Sequence, residues 1–173
     1  MITLSNYQIL ELIYEGTKTT VYRASRNKDS KLVVIKLLKT EYSKLKDIAA
    51  FKHEYEVIKN LNIPGVIQAY GLEKYNNGFA IVLENFDGNS LYKIIQTEKI
   101  GLLDFLKIGI KITQALGELH QNYIIHKDIK PQNIIVNLAT HQVKIIDFSI
   151  SSLLFQEKLK LSNPDLLEGT LAY

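Results

Sequence analysis

Cysteine is missing from all 173 residues, which removes disulfides and thiolate metal sites from consideration. The absence suits a reducing compartment. Arginine is almost missing as well: of 21 basic residues only Arg23 and Arg26 are arginines. Its planar fork is the usual clamp for phosphate or carboxylate, so a clamp built from several arginines is excluded. Charge of one sign is scarce, because the 21 basic residues meet 18 acidic ones and the formal net charge is +3. Such an excess does not point to nucleic acid or to an anionic membrane surface. No apolar run approaches the roughly 18 residues that suggest a membrane span. The richest stretch, Leu102 to Leu119, is broken by Asp104, Lys107, Lys111 and Glu118. Met1 to Tyr14 has neither the basic stretch nor the uninterrupted apolar core of a secretory signal. The expectation is a soluble cytoplasmic domain with no nucleic-acid partner and no membrane span.

What is present has the composition of a folded domain. Hydrophobic residues make up 46% and charged residues 23%, close to ordinary globular usage. Strand signals fill the first third. Tyr7 to Tyr14 and Thr19 to Ala24 flank a turn at Gly16, and a polar turn from Arg26 to Ser30 leads into Leu32-Val33-Val34-Ile35. A helix follows, about Lys44 to Asn60, with Ile48, Phe51, Tyr55 and Ile58 forming one apolar stripe. After the Pro64-Gly65 break, Val66 to Tyr70 and Phe79 to Leu83 read as strands joined by a hairpin turn at Asn76-Asn77-Gly78. Asp87 to Ser90 is a loop and a lobe boundary. A long helix then carries Leu103, Leu106, Ile110, Leu116 and Leu119 near one face. Two short runs, Ile134 to Val136 and Val143 to Ile146, read as strands, and Ser149 to Tyr173 reads as a loop. The pattern predicts an α+β chain in two lobes, about residues 1–86 and 87–173.

The strongest chemical signal is His126-Lys127-Asp128-Ile129-Lys130-Pro131-Gln132-Asn133, set between two apolar strand-like runs. Asp147-Phe148-Ser149 follows at the end of another run. Asp128, Asn133 and Asp147 are therefore delivered from strand ends and an adjacent loop. A carboxylate and a carboxamide so placed suit Mg²⁺, a hard cation that prefers oxygen. A further carboxylate beside them can orient a hydroxyl nucleophile.

These residues resemble the protein kinase family, whose pattern is His-Arg-Asp with an asparagine five residues after the aspartate, then Asp-Phe-Gly. The resemblance extends upstream and downstream. Val33-Val34-Ile35-Lys36 is similar to the family's lysine strand, and His53 to Ile58 lies where a partner glutamate is expected. Glu54 suits that role better than Glu56, because Ile58 and Leu61 then fall at the apolar positions after it. Leu83-Glu84-Asn85-Phe86 resembles the hinge, and Gly169 to Tyr173 resembles the end of the activation segment. Taken singly, each residue is as well explained by a solvated strand end or helix face. Five motifs in family order reverse that.

The resemblance implies a protein kinase-like fold: a five-stranded antiparallel N-lobe sheet with one helix, then a partial, mainly helical C-lobe. It implies ATP and Mg²⁺ as cofactors. Lys36, paired with Glu54, would hold the α- and β-phosphates. Asp147 and Asn133 would hold the metal. Asp128 would orient the substrate hydroxyl, and Lys130 would steady the transferred phosphoryl group. Gly16 would belong to the phosphate loop. Val21, Val34 and Ile135 would sandwich adenine, and backbone groups of Glu84 and Phe86 would bind its edge. Lys130 and Thr170 resemble serine/threonine kinases, so the implied partner is a protein substrate.

Departures from the pattern are specific. Aligned on Val21, the family's three loop glycines fall on Tyr14, Gly16 and Thr19, so only the middle one is kept. A side chain at those positions restricts close approach of phosphate, while Thr17, Thr19 and Thr20 offer hydroxyls. Lys127 replaces the arginine that receives an activation-loop phosphate, and lacks its fork. Ser149 replaces a glycine. The sequence ends at Tyr173, before the family's Ala-Pro-Glu motif and later helices. The expectation is therefore a piece of a longer multi-domain signalling protein or a truncated product, with apolar surface exposed on the long helix. Two functions are in play: phosphoryl transfer to serine or threonine, and a non-catalytic module that binds nucleotide or a partner. A small-molecule kinase fits less well, since Lys130-Pro131-Gln132-Asn133 is similar to protein kinases.

Overall fold

The computed structural model describes residues 4–39, 44–75 and 78–153. The chain forms two compact units, Met1–Asn60 with Gln68–Asn85, and Leu61–Ile67 with Phe86–Tyr173.

Unit 1 is built on five antiparallel strands: β1 (Tyr7–Glu15), β2 (Thr19–Arg26), β3 (Lys31–Leu38), β4 (Ala69–Tyr75) and β5 (Gly78–Glu84), in the order β1-β2-β3-β5-β4. The β-branched run Val33-Val34-Ile35 places β3 at the centre, where both neighbours complete its hydrogen bonds. Side chains alternate across a strand, so Val33, Ile35 and Leu37 point into a core with Leu4, Ala24, Ala80 and Val82. Val34 and Lys36 point to the opposite face. Ile35 is fully buried, and burial of such a side chain stabilises a fold by about 1.5–3 kcal/mol. The helix α1 (Leu45–Ile58) starts where the Lys44 N–H donates to Asp47 Oδ2 at 3.0 Å, an acidic side chain in the first turn.

The expected strand Val66 to Tyr70 begins instead at Ala69 and runs on to Tyr75. Val66 and Ile67 are engaged elsewhere. Val66 makes a parallel bridge to Ile145, the Ile67 N–H donates to the Ile145 carbonyl at 3.0 Å, and the Ile145 N–H donates to Gly65 at 2.8 Å. Gly65 lies so close to Ala115 that a side chain at 65 would collide with it. These bonds tie Leu61–Ile67 into unit 2, so the division is not a single cut near residue 86. Residues 76 and 77 of the expected hairpin turn lie outside the described residues.

Unit 2 contains β6 (Asn89–Ser90), α2 (Leu91–Thr97), α3 (Leu102–Gln121), β7 (Ile124–Ile125), a 3₁₀ turn over Pro131–Asn133, β8 (Ile134–Asn137), β9 (Gln142–Ile145) and β10 (Ser152–Leu153). Its core joins Ile94, Ile108, Ile134, Val136 and Val143. The helix α2 is too short to show a period in sequence, and it is started by Ser90, whose Oγ accepts the Lys93 N–H at 3.2 Å. The segment from Ser149 is not wholly a loop, because Ser152 and Leu153 pair with Ile125 and Ile124.

The apolar stripe expected on α3 is only partly covered. Ile108, Ala115 and Leu119 are the buried residues of the helix, whereas Leu103, Leu106 and Ile110 are exposed. Of the expected stripe, Leu119 is buried and Leu116 half-buried, while the exposed residues form the apolar surface expected on this helix; period alone does not say which part is covered. Packing against β9 decides which side is covered.

Candidate active site

In unit 1, Lys36 sits opposite Val21 on β2 and Ile81 on β5. Its Nζ donates to both oxygens of Glu54, at 2.8 and 2.7 Å. Glu54 is only 2% exposed. A carboxylate that deeply buried is costly unless it is paired and hydrogen-bonded. The helix positions it because Phe51, Glu54 and Ile58 form the buried stripe of α1. Glu56, the rejected alternative, pairs instead with Lys59 near the surface. Val21 and Val34 are half-buried and share the face of Lys36. At the β1–β2 turn the Gly16 N–H donates to the Thr19 carbonyl at 2.9 Å. Thr20 is buried, so its hydroxyl is not one that the turn offers to solvent.

The hinge residues are ordered by side chains that sequence reading overlooked. Arg23 Nε donates to Asn85 Oδ1 at 3.1 Å across 62 positions, and Arg23 also pairs with Glu11. No local pattern announces contacts at such separation. The Glu84 N–H donates to the Gln68 carbonyl at 2.9 Å, and Glu84 Oε1 accepts the Gln68 N–H at 2.8 Å.

In unit 2, Asp128, Lys130 and Asn133 converge within six residues. Lys130 Nζ is 2.7 Å from Asp128 Oδ2. Asn133 Nδ2 donates to the same Oδ2 and to the Asp128 carbonyl, each at 2.9 Å. Pro131 opens the 3₁₀ turn that brings Asn133 back over Asp128, and its ring suits that first position. Asn133 is buried, while Asp128 is half-buried.

His126 organises this loop. It is 2% exposed, its Nδ1 accepts the Asp128 N–H at 3.2 Å, and its Nε2 lies 3.0 Å from the Ile146 carbonyl. A ring whose Nδ1 accepts must carry its hydrogen on Nε2, which donates to Ile146. Burial lowers its pKa, outweighing the Ile146 carbonyl and nearby carboxylates, which act in the opposite direction. The imidazole meets Phe148 edge-on, with centroids 4.6 Å apart. Phe148, fully buried beside half-buried Asp147, was not singled out by sequence, although its place in the triplet was a signal. Lys127 and Asp147 have φ of 69° and 66°, a left-handed backbone that costs about 1–3 kcal/mol and persists only when the surroundings enforce it. The Ile146 N–H, donating to Asn133 at 3.0 Å, is one such constraint.

The donor set suits Mg²⁺. Asp147 offers carboxylate oxygen, and Asn133 turns its amide nitrogen to Asp128, leaving its carboxamide oxygen as the acceptor. Among the described residues no cluster of three or more histidine or carboxylate groups forms a metal cage. Two oxygen-bearing side chains match a cation held partly by phosphates and water. Ile135 lies half-buried on β8, and Phe86 is half-buried with the Lys144 ammonium 6.0 Å from its ring. A shallow apolar groove on α3, lined by Phe105, Leu106, Gly109 and Ile110 among others, contains no candidate site residue. Residues 169–173 lie outside the described residues.

Comparison with known proteins gives a consistent answer. A family model described as "Protein kinase domain" matches residues 7–173. A probable serine/threonine-protein kinase of Clostridium perfringens is 33% identical over 151 residues, 85% of this chain and 22% of the relative. Myosin light chain kinase 3 of Rattus norvegicus is 32% identical over 92% of this chain and 20% of its own length. Serine/threonine-protein kinase PrkC of Bacillus subtilis is 30% identical over 96% of this chain and 26% of its own. The chain thus spans about a fifth to a quarter of these relatives.

Proposed function

The chain belongs to the protein kinase domain family, and from that premise we propose that it serves phosphoryl transfer from ATP to serine or threonine hydroxyls of protein substrates. The observation that carries this reading is the Lys36–Glu54 pair. A carboxylate 2% exposed that places both oxygens on one ammonium fixes that ammonium in direction, which is what a phosphate-holding lysine requires. Val21 and Val34 flank Lys36 as the apolar surface for adenine. The edge of the base falls to the Glu84 carbonyl, since the Glu84 N–H donates to Gln68, and to backbone of Phe86.

In unit 2, Asp128 accepts or orients the substrate hydroxyl. Lys130, 2.7 Å from its carboxylate, holds that carboxylate in place and is close enough to steady a phosphoryl group. Asn133 and Asp147 would hold Mg²⁺, which when bound supplies positive charge against the phosphate oxygens. His126 stays neutral and buried, so its role is to shape the loop and not to transfer protons.

A second reading, a binding module without transfer, is favoured by one observation: Gly16 alone remains of the three loop glycines. The two are separated by Mg²⁺-dependent labelling of a generic serine/threonine substrate by the full chain. The expected result is transfer that Asp128→Asn lowers by about 10²–10⁴-fold, with ATP binding retained. Nucleotide binding without any transfer by the wild type supports the module instead. If Lys36→Met and Asp147→Asn leave ATP binding intact, the assigned residues are wrong.

A further inference from the structure

Tyr14 stands where the family places a glycine, and its position in the sheet is specific. The register of unit 1 puts Tyr14 opposite Val21, Val21 opposite Lys36, and Lys36 opposite Ile81. Directly opposed residues share a face. Tyr14 therefore belongs to the same cross-strand row as Lys36, two strand spacings or about 10 Å away, and projects from the face that carries Val21 and Lys36. It does not join the core on the other side, and it is 57% exposed.

The phenol does not extend away from the chain. A methyl group built on Gly16 would lie 2.7 Å from the Tyr14 hydroxyl oxygen and 2.8 Å from its Cε1. The ring is folded back onto the Gly16 Cα, over the β1–β2 turn. That turn is also closed from within, because the Gly16 N–H is engaged by Thr19. The glycine thus makes room for an aromatic ring from its own strand. A phosphate chain approaching the backbone at Gly16 would meet that ring, whereas the ring's hydroxyl end is directed at Gly16 and not across to its cross-strand neighbour Val21 or to Val34 on β3.

From this we infer that Tyr14 is a specificity-determining residue: its phenol screens the turn against the phosphate chain and leaves the apolar purine surface accessible. The inference rests on the proposed nucleotide-binding reading. It means that ATP must displace the ring from Gly16, while adenosine need not. The apparent affinity for ATP is lowered by the fraction of chains in which the ring lies aside.

Titration calorimetry of the full chain with ATP and with adenosine tests this. Tyr14→Ala is expected to tighten ATP by about fivefold and to change adenosine less than twofold. Tyr14→Phe, which keeps the ring, is expected to retain the wild-type ratio of the two. ATP binding that is unchanged or weakened in Tyr14→Ala overturns the inference while the nucleotide site stands. Equal tightening of ATP and adenosine overturns it too, since the ring would not then discriminate. If neither ligand binds wild type or Tyr14→Ala, the nucleotide reading falls, and the role of Tyr14 falls with it.

Discussion

Lys36 and Asp128 are both held by neighbouring side chains, but over very different distances along the chain. In unit 1 the partner of Lys36 is Glu54, 18 residues away on a helix. In unit 2 the partners of Asp128 lie within five residues, and the histidine beneath them is two residues away. The first arrangement depends on a whole helix packing against a sheet. The second depends on a loop forced into shape by a proline, a buried imidazole and a left-handed backbone. Long-range pairing makes the alignment depend on the packing of distant elements. Local convergence shares it among several bonds, each weaker, so the loss of one leaves the others.

The largest expected effect sharpens this contrast. Glu54→Ala removes the carboxylate that accepts two hydrogen bonds from a mostly buried ammonium, and removing one partner of a buried pair costs about 3 kcal/mol. Glu56→Ala, on the exposed side of the same helix, is expected to stay within about 0.5 kcal/mol. Urea denaturation of both variants measures the difference. Equal, small effects would show that α1 is not anchored through Lys36.

A smaller effect is expected for His126→Phe. The ring volume is kept, but the Asp128 N–H and Ile146 carbonyl lose their partner, at about 2 kcal/mol. This variant also tests a pH dependence. The folded pKa of His126 lies below the ordinary 6.5 because of burial. Between those two values the unfolded chain binds more protons than the folded one. Stability therefore falls as pH drops below about 6.5 and levels off beneath the lowered value. Thermal unfolding from pH 8 to pH 5 should show that slope in wild type, and a smaller one in His126→Phe. An identical slope would assign the acid response to other groups.

The smallest effect, that of Leu106→Gln, concerns the exposed part of the apolar stripe expected on α3. Leu106→Gln lies on the exposed side of α3 and is expected to change stability by less than about 0.5 kcal/mol. Leu119→Ala, at a fully buried position of the same helix, is the reference and is expected to cost about 2 kcal/mol or more. Calorimetric melting of the two distinguishes the faces.

Much of the fold was legible where one physical signal dominated. The strands of the unit 1 sheet were legible from alternation and β-branched runs, and Glu54 from helical spacing. The α3 stripe was legible only in part: Leu119 is buried, but Leu103, Leu106 and Ile110 are exposed, because tertiary contact decides which apolar residues are covered. The helix Leu91–Thr97 was missed because seven residues give under two turns of pattern. Ser152–Leu153 was missed because two residues have no period at all, and Ile124–Ile125 supplies their hydrogen bonds from a distance. At the site, the residue types were readable from motif order. The seat of His126 on Ile146 and Phe148, and the Arg23–Asn85 contact, depend on folding and leave no local trace.

The bridge from Val66 to Ile145 has a consequence for anyone dividing this protein. Because Leu61–Ile67 is grouped with Phe86 onward, the backbone passes from one unit to the other after Asn60, returns after Ile67 and leaves again after Asn85. A gene fragment starting at Phe86 would begin without the segment that hydrogen-bonds Ile145 and lies against Ala115. A fragment ending at Asn85 would carry that segment with nothing to pair with. Severing the polypeptide at its most obvious seam therefore yields two incomplete pieces, and independent expression calls for a split that transplants seven residues from one piece to the other.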